Sequence, residues 1–306
     1  MTTVSVAVEV SPYRMFPARL TRRERRSPSL VRLTFTDPSF AGFADRGYDQ
    51  RIKLVVPKPG GLPLREFPTG PDWWSVWRDQ PLEDRAFIRT YTVVAVRPGA
   101  EEIDVDFVDH GVTGPGSRFA IEAAPGDEVI VFGPNADFDG DAGGLEFRRE
   151  YAGAATQLVV GDLSALPAIN GIATRLPADA EGLICIDVPH AEDARGIEAP
   201  AGVDIVWCVT DRGDDQVAAV RDWLTSYGPL ATDDARTTVI DDGAVEAYWE
   251  VTDPKATMSD TPALSAWIAG ESSRVRDLRR LLVNDFDVPR GAVCFMGYWR
   301  DGVAGS

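Results

Sequence analysis

Arg89-Thr90-Tyr91-Thr92 lines up a guanidinium, an aromatic ring and a hydroxyl within one tetrapeptide. It opens the apolar run Val93-Val94-Ala95-Val96, is rich in threonine and valine, and follows no helix start. It therefore reads as a strand. Side chains alternate along a strand, so Arg89, Tyr91 and Val93 share one face. The guanidinium can fork onto a phosphate, and the ring can lie against a planar heterocycle. The Thr92 hydroxyl can reach a heteroatom at the rim. Such a set suits a ligand that is both flat and phosphorylated. Further on, His110-Gly111-Val112-Thr113-Gly114-Pro115-Gly116-Ser117 leads into Arg118-Phe119-Ala120. Closely spaced glycines before a helix start form an anion cradle, with backbone amides and the helix dipole facing the phosphate and Ser117 as the cap. Gly161-Asp162 turns an apolar strand into a helix that Ser164 would cap, a second anion site at the carboxyl end of a sheet.

The elements that hold these residues fall into two kinds. Leu30–Thr36 and residues 103–107 alternate apolar and polar positions, as half-buried strands do. Arg51–Val56 is a strand carrying Lys53 and ended by Pro57, and residues 128–132 form another, ending at Gly133-Pro134. The basic stretch 14–32 reads as a solvated hairpin or loop. Residues 58–86 read as a long Pro/Gly/Trp-rich loop, with Trp73, Trp74 and Trp77 either rimming a binding site or packing beneath it. Short strands between Gly/Pro turns indicate an antiparallel barrel. Residues 137–153, rich in glycine and charge, end it, which puts the boundary between domains 1–150 and 151–306. Beyond lie strands at 156–160, 183–188, 205–209 and 266–269, alternating with helices near 164–176, 214–227 and 272–286. That alternation implies a largely parallel sheet. Residues 231–261 are acidic and less regular.

Length and composition agree with two domains. A chain of 306 residues with 44% apolar content and eight tryptophans can build two cores. A net charge of −17 argues against nucleic acid and anionic membranes as partners. The first ten residues lack the pattern of a signal peptide, and no apolar run approaches the roughly 20 residues that span a bilayer. Cys185, Cys208 and Cys294 each lie in an apolar segment and read as buried thiols; with only two histidines, a metal cluster is not expected. A cytoplasmic, reduced protein is the expectation.

The segments 89–92, 106–117, 161–168, 267–271 and 297–302, in that order, resemble the siderophore-interacting proteins. These are flavin-dependent ferric-siderophore reductases of the ferredoxin-reductase superfamily, whose flavin motif is Arg-x-Tyr-Ser/Thr. The resemblance implies an N-terminal antiparallel FAD-binding barrel and a C-terminal α/β NAD(P)H-binding domain. It assigns the flavin to Arg89, Tyr91, Thr92, Asp106, Val108 and His110, with Gly114, Gly116 and Ser117 around its ribityl and pyrophosphate. Gly161, Asp162 and Ala165 belong to the nucleotide half, as do Gly270 and Glu271 of the family's Trp-x-Ala-Gly-Glu. Tyr298 and Trp299 return to the flavin. Leu163 and Ser164 depart from the glutamate and threonine usual there. Lys53 and Arg300 are the cations that the pattern offers to an anionic substrate, and Arg212 follows a strand where a 2′-phosphate would be met.

Electrons would then pass from NADPH or NADH through FAD to a ferric siderophore, with no catalytic acid, base or nucleophile required. Ferredoxin is the weaker candidate donor, since ferredoxins dock on basic surfaces and this chain is acidic. A general flavin or ferredoxin-type reductase would share the flavin motifs, and a non-catalytic siderophore- or flavin-binding protein is the alternative of another class.

Overall fold

The computed structural model describes residues 10–109, 111, 114–154, 156–227 and 262–302. His110, Val112, Thr113 and the stretch 231–261 lie outside the described residues. Period-two patterning builds six strands: β1 (Tyr13–Ser27), β2 (Leu30–Thr36), β3 (Arg51–Val56), β4 (Phe87–Arg97), β5 (Glu102–Val108) and β6 (Glu128–Pro134). They close an antiparallel barrel in the order β1-β2-β5-β4-β3-β6. Every second side chain points inward. Phe16, Leu20, Leu33, Phe35, Ile52, Leu54, Val105 and Phe107 make the packed interior, each contributing about 1.5–3 kcal/mol by burial. Closure also explains why the basic stretch takes the hairpin form, with β1 a full strand paired to β2, and not the loop form. Its arginines stand outward while Phe16, Ala18 and Leu20 face the core.

The 58–86 segment is not a featureless loop. It contains helix α1 (Trp73–Asp79), because Trp73 and Trp77, four apart, share one helical face. That face covers a second apolar cluster on the outside of the barrel, formed by Val55, Phe67, Ala86, Ile88 and Ile130. Helix α2 (Pro115–Glu122) closes the barrel mouth by sending Phe119 and Ala120 into the interior.

The second half is a parallel sheet of β7 (Thr156–Asp162), β8 (Glu181–Val188), β9 (Gly202–Val209), β10 (Leu264–Glu271) and β11 (Val293–Trp299). The order is β11-β10-β7-β8-β9. Helix α3 (Leu166–Ala173) covers one face, while α4 (Gln216–Tyr227) and α5 (Ser272–Arg280) cover the other. The first strand, β7, is central, and the chain switches direction between β7 and β10. A ligand crevice belongs at that point, beyond the strands' carboxyl ends. Among the described residues no helix is long and apolar enough to cross a membrane.

Barrel and sheet are locked by groups whose partners are far apart in sequence. Asp49, fully buried, accepts hydrogen bonds from the backbone N–H groups of Glu146 and Phe147 and from Trp267 Nε1, the last at 3.0 Å. Burial pushes the Asp49 carboxyl up, and these donors oppose it. Ser29 N donates to Asp193 Oδ1 at 2.9 Å, carrying the β1–β2 hairpin onto the second domain. A Cβ at Gly171 would lie 2.1 Å from the Tyr48 carbonyl oxygen, so α3 meets the barrel backbone directly. Asp49→Ala would orphan three buried donors and should cost about 2–4 kcal/mol. The expected fall in Tm is roughly 5–15 °C by scanning calorimetry. Asp49→Asn, which keeps one acceptor oxygen, should fall between; an alanine variant melting with the parent would remove Asp49 from this role.

Candidate functional site

Two constellations form, one at the barrel mouth and one at the sheet edge. In the first, Arg89 and Tyr91 share the inward face of β4. Tyr91 packs on Phe107 with ring centroids 4.3 Å apart. A Cβ at Gly116 would stand 2.4 Å from the Tyr91 hydroxyl and 4.0 Å from Arg89 Cγ, so only glycine lets α2 approach this pair. The strand and the Gly-rich turn, expected separately from sequence, are thus in contact. Burial lowers the proton affinity of the Arg89 guanidinium and pushes the Tyr91 hydroxyl well up. Arg32 and Arg97 on the same barrel are shifted the other way by their carboxylate partners. A desolvated guanidinium beside a glycine-rich helix start is chemistry for an anion. Ser117 is not the expected cap. Gly114 takes that position with Pro115 in the first turn, and Ser117 Oγ donates to the Val108 carbonyl at 3.2 Å, tying α2 to β5.

Beyond β4, a bulge after Val93 shifts the register, so the inward series passes from Val93 to Val96. Phe87, Arg89 and Tyr91 form one row. Phe87 lines a cavity of about 500 Å³ together with Lys58, Pro115 and Arg118. Sequence reasoning missed Phe87 and Arg118. The signal for Phe87 was available, because the alternation that pairs Arg89 with Tyr91 extends one step back.

At the sheet edge Asp162 is the hub. It caps the turn that begins α3's approach, accepting from Ser164 N at 2.8 Å, which corrects the expectation that Ser164 itself caps. Its other oxygen accepts from Glu271 N at 2.8 Å and Trp299 Nε1 at 2.7 Å. Gly270 has φ +147°, and a Cβ there would lie 2.5 Å from Asp162 Oδ2, so glycine is required. Gly161 is as constrained: a Cβ would press to 2.7 Å from Ala165 Cβ. Glu271 caps α5 through Ser273 N and Arg274 N, and its carboxyl is held low by those bonds against burial. Burial pushes Asp162 up. Gly161, Asp162, Ala165, Gly270, Glu271 and Trp299 are one cluster.

The two constellations meet at Tyr298. Its hydroxyl is enclosed and pushed far up by burial and by Asp49, with the Thr92 side chain of β4 opposing. Its ring stands edge-on to Trp267 at 6.5 Å. Other expected residues lie elsewhere. Asp106 faces out of the barrel and is held by Arg32 at 2.7 and 2.9 Å. Lys53 pairs with Thr90 across β3 and β4, on the face opposite Arg89 and Tyr91. There its ammonium sits 5.5 Å from the Trp74 ring centre, beside a 330 Å³ cavity lined by Tyr13, Arg51 and Phe132. Arg300 is exposed just past β11, and His110 is outside the described residues. Sequence reasoning also missed Asp49, which no local pattern marks.

The residues at the barrel mouth fit FAD: a ring-bearing strand, a partly buried arginine, a glycine at the helix start whose Cβ would meet Tyr91, and a cavity continuing the row. Residues 19–138 match the family described as siderophore-interacting FAD-binding domain, and 154–302 the family described as siderophore-interacting protein. The ferric vibriobactin reductase ViuB of Vibrio cholerae is 28% identical over 295 residues, 94% of this chain and 91% of that protein. An NADPH-dependent ferric-chelate reductase of Escherichia coli is 33% identical over 149 residues, 49% of this chain and 52% of its own. The crystal structure of the siderophore-interacting protein SipS from Aeromonas hydrophila superposes with a TM-score of 0.65 at 29% identity, covering 95% of this chain and 93% of that one. A flavin-type barrel mouth, a nucleotide-type sheet edge and a family match on each half converge: the chain belongs to the siderophore-interacting proteins, FAD-binding oxidoreductases.

Proposed function

We propose that this protein is a ferric-siderophore reductase that passes electrons from NAD(P)H through FAD to an Fe(III)-siderophore, releasing Fe(II) for iron acquisition. The observation that carries the reading is the close approach of Arg89, Tyr91 and Gly116 at a barrel mouth, on a barrel docked to the sheet through Asp49 and Trp267. FAD, when bound, supplies the exchange between a two-electron donor and a one-electron acceptor. Arg89 and the α2 amides hold its phosphates, Tyr91 flanks its ring, and the cavity beside Phe87 takes the adenosine end. Residues 1–150 form the flavin domain and 151–306 the donor domain. Per nicotinamide oxidised, two ferric ions become ferrous and one proton is released, so charge and electrons balance without a protein acid or base. Ferrous iron, with its lower charge, binds hard oxygen ligands less tightly, and the chelate lets go.

The substrate is an anionic chelate met by Lys53 beside Trp74 and by Arg300. Burial lowers the Lys53 proton affinity, and Arg51 adds to the effect. A pyridine nucleotide, not ferredoxin, is the donor, because the chain carries −17 overall. Rapid flavin reduction by reduced ferredoxin, with none by NADH or NADPH, would favour the general ferredoxin-type reading.

Arg89→Ala should lose one charge-assisted contact of about 1.5–3 kcal/mol, lowering flavin affinity roughly ten- to hundredfold by equilibrium fluorescence quenching. Gly116→Ala should act in the same direction by displacing Tyr91. Unchanged affinity in both variants would take the flavin away from the barrel mouth. Lys53→Ala should slow anaerobic flavin reoxidation by an anionic ferric catecholate about two- to fivefold at low ionic strength, less as salt rises. Reduction by nucleotide should be untouched. Equal reoxidation rates in Lys53→Ala, Arg300→Ala and the parent would remove both from the substrate site.

A further inference from the structure

Three of the seven residues of α1 are tryptophans, and they divide between packing and exposure. Trp73 and Trp77 pack on the cluster of Val55, Phe67, Ala86, Ile88 and Ile130. Trp77 is fixed further by its Nε1, which donates to the Ala86 carbonyl at 2.9 Å. Trp74 is not part of that cluster and is 43% exposed. Burial therefore does not call for an indole at this position, and tryptophan is the residue most at home where a flat partner binds.

The exposed ring is nonetheless held. Trp73 meets it edge-on, with centroids 5.4 Å apart and planes at 88°. Trp77 lies 5.0 Å from it, tilted by 36°. Both neighbours are anchored in the cluster beneath, so the orientation of Trp74 is set by the fold before anything binds, and a ligand ring laid on it orders little.

A cation stands beside this surface. Lys53 Nζ is 5.5 Å from the centre of the Trp74 ring. Arg51, on the same face of β3, is paired with Glu146. Burial and the like charge of Arg51 both act against the Lys53 ammonium, and an oxyanion beside it would offset them. The adjoining 330 Å³ cavity is walled by Tyr13 and Phe132, whose rings are 5.3 Å apart, and Phe132 in turn meets Trp73 at 5.0 Å. That volume is near the lower limit for a small-molecule site and suits one arm of a chelate rather than the whole.

Ammonium, indole and an aromatic-walled cavity side by side match a ligand whose metal-binding oxygens are carried on or next to a flat ring. Catecholates and aryl hydroxamates are such ligands. A hydroxamate on an alkyl chain offers the oxygens without the ring.

We propose that Trp74 stacks against an aryl ring of the ferric chelate while Lys53 meets its oxygens, so that aryl-bearing chelates are preferred over alkyl ones, an inference that rests on the proposed substrate site beside Lys53.

Benzohydroxamate and acetohydroxamate form neutral tris-chelates that differ in the ring and not in charge, and their gallium(III) complexes bind without accepting electrons. Isothermal titration of the flavin-loaded full-length protein with these complexes should give a Kd at least about threefold lower for the aryl one, within the range expected of one aromatic pair. Trp74→Ala should narrow that ratio roughly two- to tenfold, and Trp74→Phe, which keeps a ring, should retain most of it. With the iron(III) complexes, stopped-flow reoxidation of the reduced flavin should show the same narrowing in Trp74→Ala. Equal Kd values on the native protein overturn the proposal whether or not the variants fold. A ring preference unchanged in flavin-loaded Trp74→Ala, or lost equally in Trp74→Phe, overturns the role of Trp74. If Lys53→Ala and Arg300→Ala are both reoxidised by ferric catecholate at the parent rate, the substrate-site reading has failed and this inference with it. A slowed Lys53→Ala beside an unchanged ratio in Trp74→Ala sinks the inference alone.

Discussion

A carboxylate with no exposure to water holds the molecule's two halves in register. Isolated, a buried charge is expensive, and Asp49 is tolerated because three N–H groups converge on it. Two of those donors lie on the segment leaving the barrel and the third on β10 of the sheet, so the bonds can be satisfied only when barrel and sheet are docked. The site depends on that docking. Tyr298 feels Asp49 and Thr92 together, which places the last strand of one domain against the flavin-type strand of the other. On the proposed reading, electron transfer between the two domains would rely on that proximity.

Asp162 does the same within the second domain. A turn that binds phosphate through free backbone amides would leave its aspartate available. Here the carboxylate accepts from Ser164 N, Glu271 N and Trp299 Nε1, and it therefore shapes the crevice. Gly270, with its positive φ, exists to let that carboxylate in. Two motifs read from sequence as parallel nucleotide contacts are one structural knot, whose consequence is a fixed ligand-facing edge.

Much of the architecture was legible because period-two and helical patterns are local. The change from short alternating strands to strand–helix alternation identified barrel and sheet. Local patterns failed where a residue's partner was distant. The outward arginines of β1 leave hairpin and loop both open, since the Phe16, Ala18 and Leu20 face has meaning only against β6 and the closed interior. The tryptophans of 73–77 leave rim and packing both open, because the cluster they cover includes residues of β3, β4 and β6. Hydroxyl preference points to Ser117 and Ser164 as caps. Gly114 and Asp162 took those places, since Pro115 sets the first turn of α2 and the Asp162 carboxylate reaches back over its own turn. Motif adjacency was right for Arg89, Tyr91 and Gly116 and uninformative for Asp106, which pairs across the strand with Arg32.

In a chain this acidic, arginines that meet carboxylates are structural by default, and charge alone cannot mark a ligand site. Their surroundings differ. Arg32 and Arg97 are stabilised as cations by Asp106, Asp104 and Glu102, whereas Arg89 is destabilised by burial beside a neutral tyrosine. The glycine-rich start of α2 lies at the same place. Lys53 shows the same downward shift on the opposite face of the same strands, next to an exposed indole. The β3–β4 pair therefore presents one partly buried cation to each side. On the proposed reading, that division would keep a tightly held anionic cofactor apart from an exchanging anionic substrate, with the thickness of a single sheet between them.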